Sequence, residues 1–207
     1  KQFQQSMKEV ATLSNGIKGS LTDYMNQVME ITRTIPVEAN EAAKALYQIV
    51  SAGHDGANGM KVLEASAKAA VGGVTDTATA ADAITTVLNA YKLDASKAQE
   101  VSDQLFTTVR LGKTDFGQLG KSIAQAAPIA ASFGIDIKEV LGAVASITKQ
   151  GVPTSEAMTK IRAAILGTAN QLGDAAFKGR TFQEALQLIY DKSRRFINQN
   201  ERIVGYR

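Results

Sequence analysis

The chain of 207 residues contains no cysteine, one histidine, no tryptophan and only three prolines. The absence of cysteine excludes disulfide bonds, thiolate metal ligands and cysteine nucleophiles, and a single histidine excludes zinc sites built from several histidines. Aromatic residues make up only 6% of the sequence, so the apolar content is mainly Ala, Val, Ile and Leu. This composition favours helices that approach each other closely, and the scarcity of proline leaves long stretches free to be helical.

The charge is unevenly distributed along the chain. Hydrophobic residues make up 44% and charged residues 21%, which are ordinary values for a folded soluble domain. Residues 178–207 carry seven Lys or Arg and three acidic residues, whereas the first 177 residues have a net charge of −1. A nearly neutral body with a basic end gives poor support for a nucleic-acid-binding domain.

No membrane-spanning or targeting segment is predicted. The longest apolar stretch, residues 123–144, is interrupted by Pro128 and by the charged Asp136 and Glu139. No signal peptide is visible. Because the chain starts with Lys1 rather than Met, we expect it to be a piece of a longer protein.

Apolar residues recur at spacings of three and four along nearly the whole chain, which is typical of amphipathic helices. No alternating run is long enough to predict a strand. We therefore predict an all-α fold, an irregular bundle of about nine helices that are mostly antiparallel because short loops join them. The helices follow one another about every 20 residues, which is also a property of stacked helical pairs, but no residues match at fixed offsets.

Glycines and polar residues mark the expected helix ends. Five glycines follow apolar stripes, where a left-handed residue would end a helix: Gly16, Gly53, Gly112, Gly134 and Gly151. The residues predicted to cap helix N-termini are Ser20, Asp94, Asp115 and Asp136. Pro36 and Pro153 fall at junctions, whereas Pro128 lies inside a stripe and should kink or split its helix. Residues 54–83 are rich in Gly, Ala and Thr, and we expect them to be the most flexible stretch.

This pattern divides the chain into three parts. We expect N-terminal helices over residues 1–35, a helical core domain over residues 36–170 and a basic helical extension over residues 171–207.

Two short motifs imitate the end of a phosphate-binding loop, namely Gly112-Lys113-Thr114 and Gly120-Lys121-Ser122. A phosphate-binding loop needs another glycine five residues before the glycine that precedes the lysine. Those positions hold Thr107 and Asp115, and no strand precedes either motif. We therefore interpret both as ordinary helix ends followed by a solvated lysine.

No catalytic, cofactor-binding or metal-binding residue is predicted. His54 and Asp55 form the only histidine–acid pair, but they are adjacent in a glycine-rich loop with no nucleophile nearby in sequence. The remaining carboxylates are scattered singly along the helices, so no glycosidase-like pair stands out. We expect no enzymatic activity.

Two further features favour packing or contact with a partner. The basic end combines cations with aromatic residues, and we interpret it as a solvated helix end, with contact to nucleic acid or an acidic protein surface as the alternative: Arg194, Arg195, Phe196, Arg202, Tyr206 and Arg207. An alanine-rich stripe favours close helix packing, with self-association or a membrane surface as alternatives: Ala124, Ala126, Ala127, Ala130 and Ala131.

Four blocks of sequence, in order, resemble the core region of phage tail tape measure proteins. They span residues 35–53, 62–91, 98–131 and 145–170, and the third ends in the Ala-Pro-x-Ala pattern of that family. The fourth resembles its Gly-x-x-x-x-Glu-Ala-x-x-x-x-Arg helix through Gly151, Glu156, Ala157 and Arg162. The segment at 182–186 fits the usual sequel, so the resemblance covers roughly residues 30–195.

The resemblance implies a structural virion protein inside the tail tube, which sets tail length during assembly and leaves with the DNA at ejection. It implies as partners tail tube and distal tail proteins, assembly chaperones, the host envelope at ejection and further copies of itself, as a trimer or hexamer matching the tube symmetry. It implies no cofactor and no specific nucleic acid. The alternatives are a helical bundle that acts on membranes, a generic helical scaffold and a cell-wall hydrolase.

Overall fold

The computed structural model describes residues 1–15 and 20–204, without the side chains of Asp174 and of residues 196–204. The described residues form eleven α-helices and no strand, which confirms the all-α prediction. The described part of the chain thus has two more helices than the approximately nine that the sequence predicted. The helices, named α1 to α11 in chain order, are Gln2–Leu13, Leu21–Thr34, Ala39–Ser51, Gly56–Gly73, Thr77–Ala90, Ala98–Leu111, Phe116–Ser122, Ala127–Ser132, Ile137–Lys149, Thr154–Leu172 and Phe182–Val204.

The helices alternate between two layers. One layer contains α1, α3, α5, the α7–α8 pair and α10, and each of these contacts the next. The other contains α2, α4, α6 and α9 in the same succession, followed by α11. The first helix of each pair starts at residues 2, 39, 77, 116 and 154, so the structural repeat is 37 to 39 residues long. The fold is therefore a stack of five helical hairpins, which is more regular than the bundle that we expected.

Hydrogen bonds between corresponding turns fix the register of the stack. Near their starts, α3 and α5 are joined by Glu41, whose carboxylate accepts from the backbone N–H of Thr77 at 2.6 Å. At their ends, Asn89 of α5 donates to the carbonyl of Ala52 at 2.9 Å. Because start meets start and end meets end, α3 and α5 run in the same direction. Helices two places apart in the chain are thus parallel here. The predicted antiparallel arrangement concerned a different case, helices that follow each other directly in the chain.

A single buried core runs through the stack. It contains apolar residues of every hairpin, from Met7 in α1 to Ala185 in α11. Many of these residues are alanines, which lets the two layers approach closely. The core thereby includes residues from all three parts of the chain that the sequence predicted.

The expected flexible stretch at residues 54–83 is instead helical. It forms α4 and the first half of α5, and eight residues of α4 are buried. The sequence prediction was wrong here because the small residues that made the pattern weak are the ones that fit between closely packed helices. Asp55 and Asp76 cap these two helices by accepting backbone N–H groups.

Most of the predicted helix ends are confirmed. Gly53, Gly134 and Gly151 have a positive φ, and Ser20, Asp94, Asp115 and Asp136 accept N-terminal backbone N–H groups. Pro128 divides its stripe into α7, a short 3₁₀ turn and α8. Gly16 lies outside the described residues. Within the described part, no helix combines the length and apolar character needed to cross a bilayer.

Candidate interaction surfaces

The first phosphate-loop-like motif, Gly112-Lys113-Thr114, is a packed junction between helices. Gly112 has φ −105°, so the predicted left-handed end is wrong at this position. A Cβ there would lie 2.9 Å from the Cα of Ala145, which shows that glycine is required for close approach of α6 and α9. The Lys113 N–H donates to Thr148 Oγ1 at 3.2 Å. The Thr114 and Thr154 hydroxyls are hydrogen-bonded at 2.6 Å, which ties the α6–α7 loop to α10.

The second motif, Gly120-Lys121-Ser122, lies within α7 rather than in a loop. Gly120 is buried against α5, where a Cβ would lie 3.0 Å from Thr79 Cγ2 and 3.1 Å from the Thr79 carbonyl oxygen. Close packing of α7 against α5 therefore explains the glycine at this position. Lys121 is exposed.

The structure separates the side chains of His54 and Asp55. His54 Nε2 is 3.0 Å from Asn89 Oδ1. Asp55 caps α4 and accepts a hydrogen bond from the Ser14 hydroxyl at 2.6 Å. Burial, with the neighbouring Asp55 charge, raises the pKa of Tyr24 to about 12. The pair therefore joins hairpins together and is not arranged as a base and its orienting acid.

Two of the scattered carboxylates also bind the N-terminus of a distant helix. Glu41 accepts from Thr77 at the start of α5, and Glu139 of α9 accepts from the backbone N–H of Phe182 at the start of α11. Burial raises the pKa of Tyr91, whose hydroxyl donates to the Ile135 carbonyl at 2.9 Å. Among the described residues, no cluster of three or more His, Asp or Glu could hold a metal ion.

A groove of about 420 Å³ lies between α6 and α9. Its walls are one face of each helix, and the α9 wall has the small or apolar residues Leu141, Gly142 and Ala145. At one end Leu111 is 57% exposed. At the other end lie the charged residues Glu100, Asp103 and Lys138. The groove is therefore polarised, with an apolar end and a charged end.

The charged end has one acidic group that forms no ion pair with a described residue. Glu100 pairs with Lys97 at 2.9 Å, and the lysine holds its pKa below the ordinary value. Asp103 accepts a hydrogen bond from Gln99 at 2.9 Å but forms no ion pair with any described residue. The Oε1 atom of Gln104, in the same wall, is buried and lacks a hydrogen-bond partner in the described structure. This end can therefore accept a cationic or hydrogen-bond-donating group.

The second surface is the outer part of α11. Phe182 and Ala185 are buried against the stack, but Leu186, Leu188 and Tyr190 are 38%, 41% and 60% exposed. All residues from 190 to 195 are exposed. The helix therefore presents apolar residues and then cations away from the core.

The structure describes only some of the residues of the predicted basic end. Arg194 and Arg195 are exposed and form no ion pair with other described residues. Tyr206 and Arg207, and the side chains of Phe196 and Arg202, lie outside the described part of the chain.

The alanine-rich stripe is mainly buried. Ala126, Ala127 and Ala130 are fully buried in the core, as the packing interpretation predicted. Ala124 is exposed and Ala131 is half-buried.

Sequence reasoning missed the groove because its two walls, on α6 and α9, lie about 40 residues apart in the chain. Gly142, a glycine within a predicted helix, was the one local signal in the sequence.

The hairpin stack defines a helical repeat protein. The family model for phage-related minor tail proteins matches residues 25–202. The chain therefore belongs to the phage-related minor tail protein family and is part of a phage tail protein, as its resemblance to tape measure proteins predicted.

Two relatives are similar to the chain. A probable tape measure protein of Clostridium phage phiCD119 is 29% identical over 143 residues, covering 67% of this chain and 15% of the relative. The tape measure protein of Pneumococcus phage Dp-1 is 22% identical over 202 residues, covering 98% of this chain and 17% of the relative. The chain thus spans less than a fifth of the length of these curated relatives. No solved structure matches it.

Proposed function

We propose that this chain is a folded helical-repeat region of a tape measure protein, which sets tail length during assembly and is released with the DNA at ejection. The observation that carries the proposal is the family match over residues 25–202, together with two relatives named as tape measure proteins. In this proposal the region lies in the lumen of the tail. Its partners are tail tube and distal tail proteins, assembly chaperones, the host envelope at ejection and other copies of the chain.

The stack affects how such a region would contribute to length. Packed helices lie 8–10 Å apart, so five hairpins extend roughly 50 Å along the stack. A single straight helix of the same 207 residues would extend about 310 Å. In the folded form the region therefore contributes little length per residue. We propose that most of the ruler lies in other parts of a longer chain.

The experiment is an in-frame deletion of residues 39–153 in the full-length gene, followed by measurement of tail length by electron microscopy. The deletion removes three hairpins, α3 to α9, and joins α2 to α10. If the region stays folded in the tail, tails shorten by about 30 Å, one helix spacing per hairpin. If it unfolds into one straight helix, they shorten by about 170 Å. Tails of unchanged length would refute a contribution of this region to the ruler.

A second candidate function is a helical adaptor within the same tail, which the repeat architecture favours because stacked hairpins present extended binding surfaces. In that case, tails carrying the deletion would keep their length but lack a bound tail component, which mass spectrometry of purified tails would identify.

We propose that this region has no enzymatic activity, because His54 and the carboxylates of Glu41 and Glu139 form hydrogen bonds that join helices. Zymography on cell walls with the purified chain tests this, and a clear zone would contradict it.

A further inference from the structure

We propose that the groove between α6 and α9 binds the exposed part of α11 from a second copy of this chain, with the bound helix antiparallel to α6. The inference gives a surface to the self-association proposed above and rests on that part of the proposed function. It does not depend on the role of the chain as a ruler.

The groove offers a graded series of positions along α6. Leu111, Thr107 and Asp103 line it at intervals of four residues, so they lie on one face of the helix. They change from apolar to polar to acidic over about 12 Å. On the α9 wall, Gly142 leaves open space, because a Cβ built there would meet no atom within 4 Å. A helix can therefore approach the α9 wall closely.

The exposed face of α11 has the complementary series. Leu186, Tyr190 and Arg194 are exposed, again at intervals of four residues, and change from apolar to aromatic to cationic over the same distance. An antiparallel alignment places Leu186 beside Leu111 and Arg194 beside Asp103 at the same time. A parallel alignment would place each of these charged groups beside a leucine.

Asp103 and Arg194 are suited to each other because neither has another ionic partner among the described residues. Glu100 is already paired with Lys97, and Lys138 lies beside Glu100 on the opposite wall. Asp103 is therefore the acidic group of the groove that is left to pair with the incoming arginine.

The α11 helix of the same chain cannot make this contact. Its first residue, Phe182, donates to Glu139 in the first turn of α9, which is the charged end of the groove. Leu186 is one helical turn farther along, so it remains near this end. The proposed alignment needs Leu186 at the opposite end, beside Leu111, and only a second chain can place it there.

Because the groove of one copy receives the helix of another, the contact joins two different surfaces. Contacts of this type close into rings or continue as open chains. The contact area of one helix segment is small, so we expect association to be weak and to increase with concentration and decrease with salt.

The test measures the mass of the 207-residue chain by sedimentation equilibrium at concentrations up to about 1 mM, where even a weak specific contact forms. Gly142→Leu adds a bulky side chain to the α9 wall of the groove and should weaken association at least tenfold. Gly167→Leu is the matched control, because Gly167 is also a helical glycine with no atom near its Cβ position, but in α10 outside the groove. Melting curves check that both variants remain folded.

Charge exchange tests the alignment. We expect Asp103→Arg and Arg194→Asp each to weaken association about tenfold, as loss of a close charge pair does at other interfaces. The double variant Asp103→Arg/Arg194→Asp should associate like the unaltered chain, because each contact again joins opposite charges.

Three results would overturn the proposal. They are a chain that stays monomeric at every concentration, a Gly142→Leu variant that associates like the Gly167→Leu control, and a double variant that fails to recover. The last two would leave self-association itself intact and show that it uses another surface.

Discussion

The Glu41 carboxylate of α3 binds both the backbone N–H and the hydroxyl of Thr77, at 2.6 and 2.7 Å. Thr77 is the first residue of α5, in the next hairpin, and is fully buried. One side chain thus satisfies a helix N-terminus 36 residues away and fixes the register between two repeats.

Replacement of Glu41 by alanine should lower the free energy of unfolding by about 1–3 kcal/mol, because it leaves a buried hydroxyl and N–H without their acceptor. Urea denaturation measures the change. The control is Glu64→Ala, which removes an exposed pair with Lys68 and should change stability by less than about 1 kcal/mol. Equal effects of the two substitutions would show that the contact between α3 and α5 does not stabilise the stack.

Two glycines of the α6/α9 junction should respond to alanine with opposite signs. Gly112→Ala should destabilise by about 1–3 kcal/mol, because its Cβ would lie 2.9 Å from the Ala145 Cα. Gly142→Ala should stabilise by up to about 1 kcal/mol, because it replaces glycine inside a helix where space is open. Thermal melting of both variants measures the difference. Stabilisation by Gly112→Ala would contradict the close approach of these helices.

Val74 ends α4 in a left-handed conformation, with φ +50°, and its side chain is 94% exposed. A β-branched residue is strained in this conformation, whereas glycine adopts it freely. Val74→Gly should therefore stabilise the chain by about 1 kcal/mol, because the side chain contributes little packing. Chemical denaturation checks this, with Val71→Gly as the control. Val71 lies within the helix, so glycine should destabilise there.

The Asp115 cap should make stability depend on pH. Hydrogen bonds from the backbone and side chain of Gln118 hold the pKa of Asp115 below its ordinary value of 3.8. The stabilising contribution of the charged form is therefore complete above the unfolded-state pKa and is lost as the pH falls through the lower folded-state pKa. At neutral pH, Asp115→Ala should cost about 1 kcal/mol.

Denaturation of this variant and the unaltered chain at a series of pH values tests the direction. The difference between them should be constant above about pH 5 and shrink below 3.8. A difference that grows in acid would refute the assignment. Asp82→Ala is the control, because it removes a carboxylate at an exposed position within α5 that caps no helix.

The sequence predicted the local features of the fold better than its long-range order. The caps at Ser20, Asp94, Asp115 and Asp136 were predictable because each depends on a side chain and the backbone a few residues later. The five-hairpin stack was not, because its repeat is carried by small residues and by contacts about 35 to 45 residues apart. Equivalent positions such as Ala39 and Thr77, the first residues of α3 and α5, have no chemical likeness that a sequence comparison could detect.

The candidate surfaces could likewise be predicted only in part from the sequence. The basic character of α11 was visible in Arg194 and Arg195, but whether they were buried, paired or exposed depended on where the helix leaves the stack. The groove depended on the meeting of α6 with α9, and the one local signal, a glycine at position 142 inside a predicted helix, does not tell which helix lies beside it. Gly112 was correctly placed at a helix end, but the reason for glycine is the neighbouring α9 and not a left-handed turn.

The central claim is that these residues fold into a compact stack rather than an extended rod, and small-angle X-ray scattering of the dilute 207-residue chain tests it most directly. Compact chains of this length have a radius of gyration of about 17 Å, and unfolded ones about 49 Å. We expect a value near the compact limit, raised slightly by the exposed end of α11. A maximum dimension above about 200 Å, as an extended helical rod would give, would contradict the stack.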